Sequence, residues 1–253
     1  MGLELIFANI DREIKSKGFS QIHCGLSRQD IVDAANAYID FLKLPDSLKQ
    51  TIKLPSPKSG ADIGYVLKKK EQGDYDDKEL FHFDLNIDEF AEQFNEPVIE
   101  KFITYARFVY ARSYATFKNL LNVIEPHQPG ITAKFVGDCK PTCYLRFLAY
   151  PEGAGIAAKG HFDKGAFTLS LGESTPGLII EGKPANNNEY NAILMPGITS
   201  PEIAPALGWK KAWHKSHYNG KPYAKGIGRW AIVFFSNTID QRFIDQVETH
   251  KPF

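Results

Sequence analysis

The chain has few of the features that mark secreted, membrane-bound or nucleic-acid-binding proteins. Its 253 residues include three cysteines, an odd number that leaves no second cysteine pair to complete a zinc site. Thirty basic and thirty acidic residues cancel, which argues against a polyanionic partner such as nucleic acid. The N-terminal segment lacks the apolar run of a signal peptide or a membrane span. We therefore expect a cytoplasmic protein that binds a small molecule, and neither nucleic acid nor a membrane.

The composition is typical of a protein with a sizeable buried core. Hydrophobic residues make up 43% of the sequence and aromatic residues 13%, which is enough to form one large domain. We predict a single domain over residues 1–253, with a mostly helical N-terminal region (1–140) followed by a β-rich core (141–240). We expect a monomer or a weak homo-oligomer.

Helical patterns dominate the first half of the chain. Ser27, followed three residues later by Asp30, indicates a helix start of the capping-box type. From Asn95 to about Ile124, apolar and aromatic residues recur every three or four positions, which predicts one long helix. We expect this long helix to pack against the sheet.

The remaining segments of the first half have other patterns. Residues 3–7 are mainly apolar and are predicted to form a short strand, followed by a charged helix that ends at Gly18. Residues 19–23 predict another strand. Residues 55–75 contain three glycines and show no clear periodicity, which favours a solvated loop over a substrate flap.

The second half of the chain changes to a period of two, which is typical of β-strands. Many short strands separated by glycine and proline turns indicate a sandwich or a jelly-roll barrel. We therefore predict an α+β protein with a mainly β core, a double-stranded β-helix (jelly-roll) barrel on which the helical region packs. The predicted strands are 142–150, 161–171, 177–182, 189–195 and 229–236.

A histidine and a carboxylate lie two residues apart in His161-Phe162-Asp163. On an extended strand both side chains point to the same side, so they could bind one metal ion. A third ligand from a later strand would be His214 or His217, and only one of these can bind the same ion if they face opposite sides of a strand. Two histidines and one carboxylate suit non-haem iron(II) and leave positions open for oxygen and an organic substrate.

The same tripeptide pattern occurs earlier, as His82-Phe83-Asp84. This copy follows a charged segment and is not followed by a histidine and an arginine of its own in a strand context. We interpret it as unrelated to metal binding. Only the later copy, at His161, lies between a glycine-rich turn and a predicted strand.

Arg229 begins a strongly apolar segment that extends to Phe235. A guanidinium group at the start of a buried strand needs an anionic partner, because an unpaired buried charge is unfavourable. That partner is either a carboxylate of a bound small molecule, held by two hydrogen bonds, or an Asp or Glu of the protein itself. The sequence leaves both alternatives open.

Taken together, these residues resemble the isopenicillin N synthase-like superfamily of iron(II)- and 2-oxoglutarate-dependent oxygenases. The resemblance extends over nearly the whole chain, and its motifs occur in the order found in that superfamily. The matching segments are Gly18-Phe19 through His23-Cys24-Gly25, Leu44-Pro45, Gly64-Tyr65, Asp77 to Phe81, Tyr144 to Pro151, and Pro176-Gly177-Leu178.

The resemblance implies a dioxygenase that uses Fe(II), 2-oxoglutarate and O2 to oxidise a C–H bond, most often by hydroxylation, with release of succinate and CO2. Within it, His214 takes the place of the third iron ligand, after His161 and Asp163. Arg229 would bind the distal carboxylate of 2-oxoglutarate, and Tyr150 would line the pocket. Ala231 stands where the superfamily usually has serine, which removes one hydroxyl group from the carboxylate site.

Period two on the 142–150 strand places Tyr144, Arg146 and Tyr150 on one face. If that face points into the barrel, Tyr144 and Arg146 are candidates for binding the prime substrate, with Arg146 pairing with a substrate carboxylate. Alternatively, Arg146 pairs with an acidic residue of the protein itself. Two other functions remain open: an iron(II) oxidase of the same fold that does not use 2-oxoglutarate, and a catalytically silent jelly-roll binding protein.

Overall fold

The structure is a computed structural model that describes residues 2–54, 63–68, 77–87, 95–137, 143–153, 156–218 and 220–239. Within them, no helix is both long enough and apolar enough to cross a bilayer. The helices are α1 (Leu3–Lys17), α2 (Arg28–Leu42), α3 (Asp46–Gln50), α4 (Pro97–Ile124) and α5 (Ser200–Ile203).

Two of the predicted helices are confirmed. α2 begins with a complete capping box, in which the Ser27 side chain accepts a hydrogen bond from the backbone N–H of Asp30 and the Asp30 side chain accepts one from the backbone N–H of Ser27. α4 matches the predicted long helix, with Pro97 in its first turn, where a missing N–H does no harm.

The prediction of a strand at residues 3–7 is wrong, because these residues form the first turns of α1. Ile6, Ile10 and Ile14 recur at helical spacing, and the last two are buried. The short apolar run concealed this longer pattern. As predicted, the helix ends at Gly18, which adopts φ 84° and donates its N–H to the carbonyl oxygen of Ile14 at 2.8 Å.

Two antiparallel sheets form the core of the fold. An eight-stranded sheet has the order β1-β10-β7-β12-β5-β4-β3-β2, and a four-stranded sheet has the order β6-β11-β8-β9. The strands are β1 (Ser20–His23), β2 (Lys53–Leu54), β3 (Ile63–Lys68), β4 (Lys78–Phe83), β5 (Tyr144–Pro151), β6 (Ile156–His161), β7 (Phe167–Glu173), β8 (Leu178–Ile180), β9 (Lys183–Pro184), β10 (Asn191–Pro196), β11 (His214–His217) and β12 (Ile227–Ser236).

From β5 onward the chain alternates between the large and the small sheet, apart from β8 and β9, which are paired neighbours in the small sheet. This is the connectivity of a jelly roll and confirms the predicted fold class. Strand pairing does not join the two sheets into a closed barrel in the part of the chain that the structure describes. Strands β1 to β4 come from the region predicted to be mostly helical and extend the large sheet.

The structure corrects two of the predicted segments, the loop 55–75 and the strand 161–171. Ile63–Lys68, inside the predicted loop 55–75, is strand β3, which pairs with β4 and has Ile63 and Tyr65 buried. The rest of 55–75 lies outside the described residues. The predicted strand 161–171 is the end of β6, a loop, and the start of β7. The chain turns at Gly165, where a side chain would come within 2.7 Å of the carbonyl oxygen of Ser236.

The large sheet separates a helical layer from the space between the sheets. Alternate residues of β5, such as Phe147, pack with α2 and α4 in the main core. Phe102 of α4 lies at the centre of an aromatic cluster there, with ring centroids 4.8 Å from Phe81 and 5.0 Å from Phe147. The opposite face of β5 carries Arg146 and Tyr150 and lines the pocket between the sheets.

Candidate active site

Two histidines and one aspartate converge at one end of the small sheet. His161 ends β6 and His214 begins β11, and the two residues are directly paired across these strands. Asp163 lies in the loop after β6, and its Oδ1 is 3.7 Å from His161 Nε2 and 3.5 Å from His214 Nε2. The three ligand atoms all lie within 4.8 Å of one another, so one metal ion could contact all of them.

Hydrogen bonds orient each of the three side chains. His161 Nδ1 lies 2.7 Å from the carbonyl oxygen of Lys159, and His214 Nδ1 lies 3.3 Å from that of Ala212. A carbonyl can only accept, so Nδ1 carries the hydrogen and Nε2 keeps its lone pair for a metal. Thr168 donates a hydrogen bond to Asp163 Oδ2 at 2.7 Å, which leaves Oδ1 facing the histidines.

Close packing of Trp213 against Gly160 holds the two histidine-bearing strands together. A side chain at position 160 would come within 2.6 Å of the Trp213 ring, so only glycine lets the indole lie so close to β6. Because Gly160 and Trp213 immediately precede His161 and His214, this contact fixes the spacing of the two imidazoles.

The electrostatics of the triad favour a neutral His161 beside an ionised Asp163. Desolvation by the surrounding protein, and then the nearby His214 ring, lower the pKa of His161 to about 4, although 44% of its side chain is exposed. The pKa of the buried Asp163 carboxyl is lowered, because the two imidazoles, the Thr168 hydroxyl and the Arg146 charge together outweigh its desolvation. At neutral pH, His161 Nε2 and the Asp163 carboxylate therefore have lone pairs available for a metal ion.

The structure brings His214, and not His217, together with the other two residues. Within the described residues, the group with the spacing of metal ligands consists of His161, Asp163 and His214.

The earlier tripeptide, His82-Phe83-Asp84, has a different environment. His82 Nε2 accepts a hydrogen bond from Arg146 Nε at 2.8 Å, and Asp84 Oδ1 accepts one from the backbone N–H of Asn86 at 2.8 Å.

A pocket between the two sheets extends from the triad past Arg146 to Arg229. Arg146 donates to His82 Nε2, and its Nη2 lies 3.4 Å from the hydroxyl oxygen of Tyr144. Its guanidinium carbon lies 4.7 Å from the centroid of the Phe235 ring. In the part of the chain that the structure describes, the groups that hydrogen-bond Arg146 are therefore neutral.

Arg229 lies at one end of the pocket. We call this part the far end and define it by Glu173, Ser216, Arg229 and the ring of Tyr150. Arg229 Nη2 forms a buried ion pair with Glu173 Oε2, so the structure provides the internal acid considered as one alternative from the sequence. The Tyr150 ring centroid lies 5.5 Å from the guanidinium carbon. Arg229 Nε is buried and has no hydrogen-bond partner among the described residues.

Several polar residues around the triad and the far end were not predicted from the sequence. Glu173 is 56 residues from Arg229, so no local pattern marks it, and Thr168 lies five residues after Asp163, a spacing that fits neither the period of a strand nor that of a helix. Ser216 could have been found, because it lies two residues after His214 and period two places it on the same face of β11.

Comparisons with known proteins identify the fold. No protein-family model and no curated protein sequence matches the chain. Among solved structures, a full-length Neurospora crassa protein in complex with alpha-KG matches with a TM-score of 0.70 and 18% identity, over 97% of this chain and 83% of that one. A putative 2OG-Fe(II) oxygenase family protein from Caulobacter crescentus matches with a TM-score of 0.71 and 20% identity, over 93% and 82%.

A third match is a dioxygenase for auxin oxidation from Arabidopsis thaliana in complex with 2-oxoglutarate, with a TM-score of 0.67 and 15% identity over 94% of this chain and 90% of that one. The chain therefore has the fold of the 2-oxoglutarate- and Fe(II)-dependent oxygenases. At this level of identity the similarity concerns the fold, and the function must be argued from the site.

Proposed function

We propose that the protein is a non-haem Fe(II)- and 2-oxoglutarate-dependent dioxygenase. It would oxidise a C–H bond of a small molecule, most often by hydroxylation, and release succinate and CO2. The observation that carries this proposal is the convergence of two imidazole Nε2 atoms and one carboxylate oxygen, inside a fold shared with such oxygenases.

The donor set fits iron(II). His161, Asp163 and His214 offer two imidazole nitrogens and one carboxylate oxygen, which is the ligand set of non-haem iron oxygenases. Both imidazoles are held at Nδ1 by backbone carbonyl groups and the carboxylate is held by Thr168. Three ligands leave further coordination positions for a chelating cosubstrate and oxygen.

The far end of the pocket fits the distal carboxylate of 2-oxoglutarate. Two buried donors that line the far end, Arg229 Nε and Ser216 Oγ, have no hydrogen-bond partner among the described residues, and neither has the buried Tyr218 Oη. Tyr218 packs in the same apolar cluster as Tyr150 and Ala231. Unsatisfied buried donors beside a guanidinium are what an anionic ligand would satisfy, and Ser216 could supply the hydroxyl group that Ala231 lacks.

When bound together, iron(II) and 2-oxoglutarate would supply the oxidising chemistry with O2. The chain's own contribution is to position the reactants and to exclude water. Thr168 keeps Asp163 Oδ1 directed at the metal position. Apolar side chains line the pocket between the triad and the far end and would keep bulk water from the reaction; they are Leu148, Leu178, Met195, Ala231, Val233 and Phe235.

The position of Arg146 favours a prime substrate that carries a carboxylate group. Its guanidinium faces the same pocket as the triad, and its described hydrogen-bond partners, His82 and Tyr144, are neutral groups. The bond to His82 uses the Nε hydrogen and the long bond to Tyr144 uses one Nη2 hydrogen, which leaves both Nη1 hydrogens and the other Nη2 hydrogen for a ligand. A planar guanidinium held in this way suits the two-pronged binding of a carboxylate.

One observation favours a second candidate function. Glu173 already pairs with Arg229, and residue 231 is alanine, so an iron(II) oxidase of the same fold without 2-oxoglutarate is the alternative. The test is to incubate the Fe(II)-loaded protein aerobically with 2-oxoglutarate and a panel of small acids and their amides. The proposal expects succinate formation that matches oxygen uptake. Oxygen uptake and product formation without succinate would support the oxidase instead.

A further inference from the structure

The Glu173–Arg229 pair occupies the position where the proposed function requires a ligand carboxylate. Both side chains are almost fully buried, with 3% of Arg229 and 6% of Glu173 exposed. Glu173 Oε2 pairs with Arg229 Nη2, and Glu173 Oε1 accepts a hydrogen bond from the backbone N–H of Gly177 at 2.9 Å. The Glu173 carboxylate therefore has partners at both oxygens.

Arg229 is less well satisfied than its partner. The ion pair uses Nη2, while the buried Nε–H has no hydrogen-bond partner in the described structure. A carboxylate that approached the Nε and Nη2 edge would form two parallel hydrogen bonds to the guanidinium, which is the stronger arrangement. Nη2 is common to that arrangement and to the bond with Glu173.

Two carboxylates cannot both bind this edge at low cost. Both would bond to the same nitrogen, Nη2, which brings the two carboxylates close together, and their like charges would repel each other in a buried site. Glu173 ends β7 and is paired with Ala231 through its backbone, so displacement of its carboxylate from Arg229 requires a change of side-chain rotamer and leaves the strand pairing intact.

We propose that Glu173 is a specificity-determining residue of the cosubstrate site, because its carboxylate competes with the distal carboxylate of 2-oxoglutarate for Arg229. This inference rests on the proposed function. A 2-oxo acid with a distal carboxylate must displace Glu173, whereas one without a distal carboxylate need not. The competition lowers the affinity for the cosubstrate and keeps the charge of Arg229 balanced when no cosubstrate is bound.

The test compares two 2-oxo acids that share the iron-chelating end. Anaerobic titrations of the Fe(II)-loaded protein would follow 2-oxoglutarate and pyruvate by calorimetry and by the visible charge-transfer band. The apparent affinity for 2-oxoglutarate scales with the fraction of molecules in which Arg229 is not paired with Glu173. If the ion pair is formed about 90% of the time, binding is therefore weakened about tenfold. We therefore expect Glu173→Gln to bind 2-oxoglutarate about tenfold more tightly and pyruvate with unchanged affinity.

Control variants separate competition from other effects. Glu202→Gln removes an exposed carboxylate of the same kind and should leave both affinities at the wild-type values. If Glu173→Gln does not fold, Glu173→Asp withdraws the carboxylate by one methylene group and should also tighten 2-oxoglutarate binding, by a smaller factor.

Three results would contradict the proposal. Equal tightening for both acids would mean that removal of a negative charge acts through the field of the pocket. Unchanged or weaker 2-oxoglutarate binding would mean that Glu173 holds Arg229 in position. If every variant binds Fe(II) but none, including the wild type, binds 2-oxoglutarate, the proposed function itself fails and takes this inference with it.

Discussion

Thr168 offers a sharp test of how the metal site is held, because it acts on a ligand without being one. Its hydroxyl group donates to Asp163 Oδ2 at 2.7 Å, and Thr168 is fully buried. Valine has nearly the same shape but cannot donate. In Thr168→Val, Oδ2 would therefore remain in a buried position without its partner, and the carboxylate would lose the bond that directs Oδ1 at the histidines.

The expected size of the effect follows from the charge on the acceptor. A hydrogen bond to a charged group contributes about 1.5–3 kcal/mol, and loss of such an orienting bond typically weakens metal binding by about 10–100-fold. We expect an Fe(II) affinity lower by such a factor in Thr168→Val, measured by anaerobic calorimetry. The pKa of Asp163 should rise as well, since the Thr168 bond helps to lower it.

A matched variant makes this result interpretable. Thr116 is also a buried threonine, but its hydroxyl group donates to the carbonyl oxygen of Cys24, at 3.0 Å. Thr116→Val should reduce thermal stability and leave Fe(II) affinity unchanged. The reasoning is refuted if Thr168→Val binds Fe(II) within about twofold of the wild type, or if both variants lose affinity equally.

Three further outcomes are expected. His214→Ala should lose stoichiometric Fe(II) binding, and His217→Ala should retain it. Metal analysis after anaerobic purification checks this, and the opposite result would make His217 the third ligand. The pKa of His161 falls from 6.5 to about 4 on folding, so the unfolded chain binds more protons between those values and the metal-free protein should lose stability as the pH falls through that window. Thermal melts should show a weaker pH dependence in His161→Asn, and an unchanged dependence would contradict the shift. Arg146→Met should lower the binding affinity for carboxylate substrates by about tenfold or more relative to their amides and leave 2-oxoglutarate binding unchanged. Equal losses of affinity for acids and amides would count against a carboxylate site.

Local spacing was enough to select His161 and Asp163, but it left His214 and His217 open, and the resemblance favoured His214. His161 and Asp163 are two residues apart, and His214 belongs to a later strand. The structure nevertheless places Asp163 in the loop after β6 rather than on the strand. The two side chains converge because the loop returns toward Thr168, and a strand geometry was not required.

The face of β5 was also predictable, since the period of two is a local property. Arg146 and Tyr150 line the pocket, as expected if that face points inward. The partner of Arg229 was not predictable, because Glu173 is 56 residues away and the two meet only through the pairing of β7 with β12. The strand predicted at residues 3–7 failed because five residues are too short a window to distinguish a strand from the start of a helix.

The most direct test of the central claim is an anaerobic titration of the metal-free protein with Fe(II), followed by 2-oxoglutarate. The proposed function predicts one Fe(II) per chain and a weak visible charge-transfer band that forms only after 2-oxoglutarate is added, and both should be absent in His161→Ala. Stoichiometric Fe(II) binding without the band would contradict the use of 2-oxoglutarate. Unchanged Fe(II) binding in His161→Ala would contradict the metal site itself.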